Sequence, residues 1–570
     1  MRFHVLATDY DGTIAHHGVV DAATQEALAR VRASGRKLIL VTGRELVDLQ
    51  RVFPAIELFD AIVAENGAVI YQPAQRCSRH VGEKPPEIFA QRLRERGVSP
   101  LSVGEVIVAT WQPHEAVVLE TIRELGLELQ VIFNKGAVMV LPSGVNKAVG
   151  LRGALEDLGL SPHNAVGVGD AENDHAFLSV CECSVAVANA LDSLKERADM
   201  VTAADHGAGV SELAERMIAS DLADLAGRLQ RHSLVLGADE GGNELRIPVH
   251  GSPVLVAGTS GGGKSTLASG LIEQLGEQGY QFCIVDPEGD FADLPNVPSL
   301  GDAKHAPTVN EVMEVLTPPS QNASVNLLGV PLADRPAYFE ALLLHLHELR
   351  TRTGRPHWLI VDEAHHLLPD SRSGTQALPR DPLTGVLLIT VHPEHVSRGV
   401  LDDVSTVIAI GASPAETLAA FASKIEGAPP PVPAEPLPAG EALVWFRRDG
   451  DRAVRYHVHT PHFERRRHVR KYAAGELGPD KSFFFRGPDA KLNLRAQNLQ
   501  MFLQVADGVD DETWLYHLRR GDYSRWFREA IKDQELADEV AQIEGDRGAD
   551  PAVTRGRMHA AIESRYTAAA

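Results

Sequence analysis

The stretch Leu6-Ala-Thr-Asp-Tyr-Asp-Gly-Thr13, "LATDYDGT", closes an apolar strand with two carboxylates two residues apart and a glycine directly after them. Asp11-Gly12 alone is an ordinary turn dipeptide. Asp9 is not explained that way, because it follows Val5, Leu6 and Ala7 within the strand, where an ionised carboxylate needs partners or a cation. In a parallel sheet the carboxyl end of such a strand faces the crevice where open α/β folds bind ligands. Two carboxylates placed there suit phosphoryl transfer through an aspartyl phosphate. One attacks phosphorus, and the other protonates the leaving oxygen and then activates water. A carboxylate and a phosphate dianion repel each other, so the site also needs Mg2+ and a fixed cation.

The next 170 residues contain those groups. Val31–Arg44, "VRASGRKLILVTGR", is an apolar strand that delivers the Thr42 hydroxyl at its end, with Gly43 leaving room for a phosphate. "PSGVNKAVGL" sets Lys147 at the start of a helical stretch, and "AVGVGDAENDHAFL" is a strand ending in Asp170, Asn173 and Asp174. Each piece alone is an ordinary strand-to-turn junction. In this order, each on a strand end or helix start, they specify one site.

With these motifs, residues 1–220 resemble a haloacid dehalogenase-superfamily phosphatase of the Cof type. The resemblance implies a Rossmann-like core carrying an α/β type 2 cap at about residues 67–145, and a phosphorylated substrate selected by that cap. It also implies Asp9 as nucleophile, Asp11 as acid/base, and Thr42 and Lys147 on the transferring phosphoryl group. Mg2+ would be held by Asp9, Asp11 and Asp170, with Asn173 and Asp174 in support. The cap loops "EKPPE" and "RERGVSP" do not reveal the substrate, which stays open between a small molecule and a nucleic-acid end.

At 570 residues the chain exceeds one core, and three or more domains are expected. A formal charge of −22 argues against a broadly basic surface, though a local patch is compatible with DNA. Cys77, Cys181, Cys183 and Cys283 form no CxxC pair, which reads as reduced thiols in a cytoplasmic protein. There is neither a membrane-length apolar run nor a secretory segment. The neighbouring pairs His16-His17 and His365-His366, lacking further ligands, are expected to face solvent.

A second phosphate-handling segment spans 233–425. "HSLVLGADEGGNELRIPVHG" reads as two strands about a Gly-Gly turn and leads into "PVLVAGTSGGGKSTLASGLIEQL", where Gly258–Ser265 fits a phosphate loop between an apolar strand and a helix. The amides of Gly261, Gly262 and Gly263 would wrap a β-phosphate. Lys264 would reach the β and γ oxygens, and Ser265, followed by Thr266, would take Mg2+ with ATP. In "HWLIVDEAHHLL" Asp362 ends an apolar run, suited to Mg2+, and Glu363 is placed to polarise the attacking water. "QFCIVDPEGDF" puts Asp286 at another strand end, and "LLITVHPEHVSRGVLDDVSTVIAIG" reads as a further strand, where His392 is near a γ-phosphate or is simply a polar cap.

This set resembles the HerA/FtsK group of P-loop ATPases, with the turn Asp286-Pro287-Glu288-Gly289, and departs from it in carrying His392 where glutamine is more usual. The resemblance implies a parallel-sheet NTPase in a homo-oligomer, a hexamer, with an arginine such as Arg398 completing the neighbouring site. Beyond it, 427–440 is a proline-dense linker, 441–460 a hairpin turning at Asp449-Gly450, and 461–570 a small helical module capped at Asp510. In that module Trp514 and Trp526 recur at core spacing. The basic run "HFERRRHVRK" reads as a phosphate-backbone contact or as a solvated face. Three function classes follow: a phosphatase joined to an ATPase, a phosphatase with a nucleotide switch, or a nucleic-acid end-processing enzyme. Glu363 and the "DPEGD" turn weigh against a kinase.

Overall fold

The computed structural model describes residues 1–570 apart from 135, 226–227, 230–231, 371–383, 433–436, 449, 451, 460–476, 478–481, 532, 547, 549 and 567–570. The basic run and the turn residue Asp449 therefore lie outside the described residues. The chain forms two compact units, one of Met1–Lys264 with Gln274–Val458, the other of Ser265–Glu273 with His459–Ala570.

The first sheet is built from β1 (Val5–Thr8), β2 (Lys37–Val41), β3 (Ala61–Ala64), β4 (Val69–Gln72) and β5 (Cys77–His80), and from β10 (Ala165–Gly169), β11 (Cys183–Ala186) and β12 (Met200–Val201). Its order is β12-β11-β10-β1-β2-β3-β4-β5. All neighbours from β12 to β3 are parallel, and β4 and β5 continue antiparallel. The central strands are buried on both faces, which is why they read as unbroken apolar runs rather than alternating ones. Leu222, Leu225 and Leu229 belong to the same core, so this domain runs past the expected end at 220.

Four strands inserted between β5 and β10 form a separate antiparallel sheet: β6 (Ser102–Val103), β7 (Val108–Trp111), β8 (Leu129–Asn134) and β9 (Ala137–Pro142), in the order β6-β7-β9-β8. Helices Glu87–Glu95 and Glu115–Glu124 cover it, and Phe89, Leu93, Val108, Val118, Val138 and Val140 give it a core of its own. This is the cap. It begins later than the expected residue 67, because β4 pairs with β3 and β5 with β4, so both extend the main sheet.

The second sheet contains β13 (Ser233–Asp239), β14 (Glu244–Pro248), β15 (Val254–Gly258), β16 (Phe282–Asp286), β17 (Ser299–Leu300) and β18 (Ala323–Asn326). It is completed by β19 (Trp358–Val361), β20 (Val386–Thr390), β21 (Thr406–Ile410), β22 (Glu441–Phe446) and β23 (Ala453–Val458). The stretch β21-β15-β20-β19-β16-β18-β17 is parallel throughout. The hairpin expected as a separate piece at 441–460 is instead part of this sheet: β22 pairs antiparallel with β21, and β23 with β13. An edge strand with free N–H and C=O groups takes up such a hairpin readily.

The second unit contains helices Leu499–Gly508, Asp511–Arg520, Asp522–Trp526, Gln534–Gly545 and Pro551–Tyr566, with a short hairpin of Phe483–Phe485 and Leu494–Ala496. Asp510 caps its helix by accepting from Thr513 N at 2.8 Å, and Trp514 and Trp526 are buried with Phe483, Phe502 and Tyr523.

Candidate active site

Strand β1 lies between β10 and β2, so its carboxyl end opens at the middle of the sheet. Asp9 continues the ladder, donating its N–H to Val168 O at 3.0 Å, and its side chain is buried. Helix Lys147–Asp157 is capped by the Asn146 side chain, which accepts from Ala148 N and Val149 N and so fixes Lys147 in the first turn. Its buried ammonium donates to Asp9 Oδ1 at 2.5 Å and to Asp174 Oδ1 at 2.6 Å. The other oxygen of Asp174 accepts the backbone N–H groups of Asp170 and Ala171, each at 2.9 Å. Thr13 donates to Asp170 Oδ1 at 3.2 Å. Gly12, at φ +93°, lies so close to that carboxylate that a Cβ would fall 2.3 Å from Asp170 Oδ2.

Charge makes this cluster incomplete. The oxygens of Asp9, Asp170 and Asp174 lie within 4.8 Å of one another, all three residues are buried, and the Lys147 ammonium bonds to two of them, Asp9 and Asp174. Burial, and next the neighbouring Asp174, push the Asp9 carboxyl up to about 8 against the pull of Lys147. Burial opposes the charge of Lys147, but Asp174 and Asp9 outweigh it and hold the amine protonated. Oxygen donors with surplus negative charge fit a hard divalent cation such as Mg2+.

The remaining residues expected at the site line a cavity of about 800 Å³ that reaches the cap at Ile107, Ala109, Trp111 and Met139. Thr42 is buried at the end of β2, its hydroxyl accepting from Arg44 N at 3.1 Å. Asn173 donates to Asn66 Oδ1 at 3.2 Å. Asp11 is half-exposed and tied to Arg44 by two bonds, Nε to Oδ2 at 2.6 Å and Nη2 to Oδ1 at 2.7 Å, while Arg44 Nη1 binds Asp48 at 2.6 Å. Arg44 was not anticipated, although it directly follows Thr42-Gly43.

Glu65 was also missed. Buried at φ +52°, it accepts the N–H groups of Glu105, Val106 and Ile107, each at 2.8 Å, and so anchors the segment that enters β7 of the cap to the main sheet. Its one signal in the sequence is a charged residue directly after the apolar β3, before Asn66-Gly67.

Residues 6–84 and 106–213 match the haloacid dehalogenase-like hydrolase family. A phosphoglycolate phosphatase from Methanothermobacter thermautotrophicus is 30% identical over 226 residues, covering 37% of this chain and 98% of that protein. The chain belongs to the haloacid dehalogenase-like hydrolases. A phosphoglycolate phosphatase from Halorubrum lacusprofundi is likewise 30% identical over 208 residues, covering 35% of this chain and 90% of that one. A haloacid dehalogenase-like hydrolase of known structure from Bacteroides thetaiotaomicron is 19% identical, with a TM-score of 0.34, over 38% of this chain and 99% of that chain. These matches concern the N-terminal hydrolase segment.

Behind the hydrolase segment, the second sheet gathers the other predicted residues at the carboxyl edge of its parallel strands. The loop after β15 runs through Gly261, Gly262 and Gly263 into helix Lys264–Glu277, whose first turn also holds Ser265 and Thr266. Gly263 sits at φ +101° at the helix start, a conformation that disfavours a side chain. Lys264 Nζ donates to the carbonyls of Gly258 and Thr259, both at 3.1 Å, bridging the two ends of the loop. Asp286 accepts from the N–H groups of Glu288 at 3.1 Å and Gly289 at 2.7 Å, which shapes the Asp286-Pro287-Glu288-Gly289 turn.

Asp362 directly follows β19 and is buried; burial, then Asp286 and Glu363, hold its carboxyl well above the usual carboxylate range. Glu363, at φ +42°, is raised by burial and by Glu288, and Lys264 and His392 pull it back. His365 was expected to face solvent, yet its side chain is 11% exposed, with Nδ1 3.3 Å from Glu363 Oε2 and 3.0 Å from Thr390 Oγ1. His392 is half-exposed and pairs with Glu394 at 3.0 Å. Arg398 is engaged locally, 2.5 Å from Glu426 Oε1 and 3.6 Å from Asp402. No helix among the described residues is long and apolar enough to cross a membrane.

Proposed function

We propose that the N-terminal segment is a Mg2+-dependent phosphomonoesterase working through a phosphoaspartate on Asp9. The observation that carries this reading is the Lys147 ammonium set between Asp9 and Asp174, at a carboxylate cluster opening on the cavity under the cap. Asp9, Asp11 and Asp170, with Asn173 and Asp174 in support, would hold a Mg2+ ion, which would supply the positive charge that lets these carboxylates share the site with a phosphate dianion. Asp9 Oδ attacks phosphorus, the bond from phosphorus to the ester oxygen breaks, and Asp11 gives that oxygen a proton. Ionised Asp11 then takes a proton from water, whose oxygen attacks phosphorus. The acyl-phosphate bond breaks, and inorganic phosphate and free Asp9 result. Lys147 and the Thr42 hydroxyl hold the transferring group. Arg44 grips Asp11 by both oxygens, so it is a positioning residue that must yield for Asp11 to turn toward the leaving group.

The substrate class is a phosphorylated small molecule. The names of the phosphoglycolate phosphatases above put 2-phosphoglycolate first among compounds to try, and the 800 Å³ cavity also admits sugar phosphates. Asp9→Asn should abolish turnover of such monoesters and of an aryl phosphate, because an amide oxygen forms no stable acyl phosphate. Retained phosphatase activity in that variant refutes the mechanism.

The same reading takes 233–458 as an ATP-binding and hydrolysing P-loop domain. Within it Gly258–Ser265 and Thr266 would cradle the phosphates, Asp362 would serve Mg2+, and Glu363 would polarise water. What supports it is the parallel sheet that sets Lys264, Asp286, Asp362 and Glu363 at one edge. A ring completed by Arg398, which pairs with Glu426 at the surface, is no part of this proposal. Neither is DNA binding by the 462–471 run.

A further inference from the structure

Away from both sites, several loops converge on one buried carboxylate. Glu182, between helix His175–Val180 and β11, has a side chain only 1% exposed. His163, in the turn Pro162–Asn164, sets Nδ1 2.9 Å from Glu182 Oε2, and the Tyr280 hydroxyl donates to the same oxygen at 2.8 Å. His232, immediately before β13, brings Nε2 to 3.9 Å from it. On the other oxygen, Arg2 Nη2 donates at 2.8 Å and His250 Nε2 stands at 3.3 Å. The ligand atoms of His163, Glu182 and His232 all lie within 4.8 Å of one another.

The hydrogen on His163 is decisive. Its Nε2 faces the carbonyl oxygen of Gln278 at 2.8 Å, and a carbonyl only accepts, so Nε2 carries the hydrogen. In a neutral imidazole Nδ1 is then a lone pair, aimed at a carboxylate oxygen 2.9 Å away. Two acceptors at that distance require a cation between them, either a second proton or a metal ion. An imidazole whose far N–H is fixed on a backbone carbonyl is the usual arrangement of a metal-binding histidine. His232 adds a second imidazole nitrogen beside the same oxygen.

We propose that His163 Nδ1, His232 Nε2 and the Glu182 carboxylate bind a divalent first-row transition ion of the zinc type. Two imidazoles and a carboxylate match zinc, whose bonds of about 2.0–2.2 Å set neighbouring donors roughly 3–3.5 Å apart. The observed separations of 2.9 and 3.9 Å from Glu182 Oε2 straddle that spacing. Mg2+ prefers an all-oxygen shell and does not suit these donors. Arg2 engages Oε1, with His250 a further donor on that side, while Oε2 faces the two imidazoles and also accepts from the Tyr280 hydroxyl, a bond a metal-bound carboxylate oxygen can keep. The site is structural. It ties the hydrolase loops around 163 and 182 to the chain entering the second sheet at 232, and it does not depend on the function proposed for either half.

The test uses the full chain carrying His392→Ala and His395→Ala, because His392, Glu394 and His395 form another, exposed group that would take up zinc. In excess Mg2+, which occupies carboxylate sites, zinc is added, unbound metal is removed by gel filtration, and retained zinc is measured by mass spectrometry. The expected result is about one zinc per chain, visible bands of a tetrahedral N/O site on replacement with Co2+, and at least about tenfold weaker binding in His232→Ala and in Glu182→Gln. His232 is partly exposed at the edge of the cluster, so its truncation leaves the fold intact, which circular dichroism confirms. Equal zinc retention with and without His232, or no retained zinc while the His163 ring titrates as an imidazolium by NMR, would overturn the proposal in favour of the proton.

Discussion

Replacing Glu65 probes how the cap is held over the catalytic edge. Its Oε2 accepts from Val106 and Ile107, and its Oε1 from Glu105, each at 2.8 Å. In Glu65→Gln the amide oxygen can keep the pair at Oε2, but the amide nitrogen then confronts the Glu105 N–H. One charge-assisted bond is lost and a donor is left facing a donor, at a cost of about 1.5–3 kcal/mol. In Glu65→Ala three backbone donors lose their acceptor, which costs about 3 kcal/mol or more even if water reaches some of them. For a domain of this size the glutamine variant should lower the melting transition of the N-terminal segment by roughly 3–10 °C. Differential scanning calorimetry measures the shift, and phosphatase assays on an aryl phosphate should show kcat/KM falling while ATP hydrolysis stays near wild type. A Glu65→Ala protein as stable and active as wild type would refute the role of this carboxylate as the cap's anchor.

In the second sheet, Lys264→Ala should weaken ATP binding at least about tenfold by equilibrium titration, whereas Glu363→Gln should keep ATP bound and slow its hydrolysis. Equal loss of binding in both contradicts the assigned roles. The Asp9 carboxyl should also write itself into stability against pH. Its folded value of about 8 lies above the unfolded value of 3.8, so the metal-free fold binds the extra proton, and its contribution is lost as pH rises from about 4 through 8. Denaturant titrations of wild type and Asp9→Asn should diverge across that window, with Mg2+ restoring the wild type at its upper end. Parallel curves without metal would contradict the charge surplus described at this site.

The residue clusters at the carboxyl edges of both parallel sheets were legible in the sequence because their signals are local. A buried parallel strand is an apolar run, and its end is marked by the residue that breaks the run: Asp9, Thr42, Asp170, Asp286, Asp362. Pairing across long sequence separations left no such mark. Nothing local distinguishes β4 and β5 as main-sheet strands rather than cap, or joins β22 to β21. The same holds for side chains whose meaning lies in distant partners. Arg44 is explained by Asp11, and Glu65 by backbone amides 40–42 residues away. His365, next to another histidine, looks like a surface residue until the fold sets Thr390 and Glu363 against it.

The central claim is that Asp9 becomes phosphorylated and Asp11 serves the water that releases it. Asp11→Asn, given an aryl phosphate whose leaving group needs no proton, should still form the acyl phosphate and fail to hydrolyse it. Acid quenching in the presence of Mg2+, followed by peptide mass spectrometry, should find one phosphoryl group on the peptide carrying Asp9, and none in Asp9→Asn/Asp11→Asn. A burst of aryl alcohol with no phosphopeptide, or a phosphoryl group on any other residue, would contradict the account.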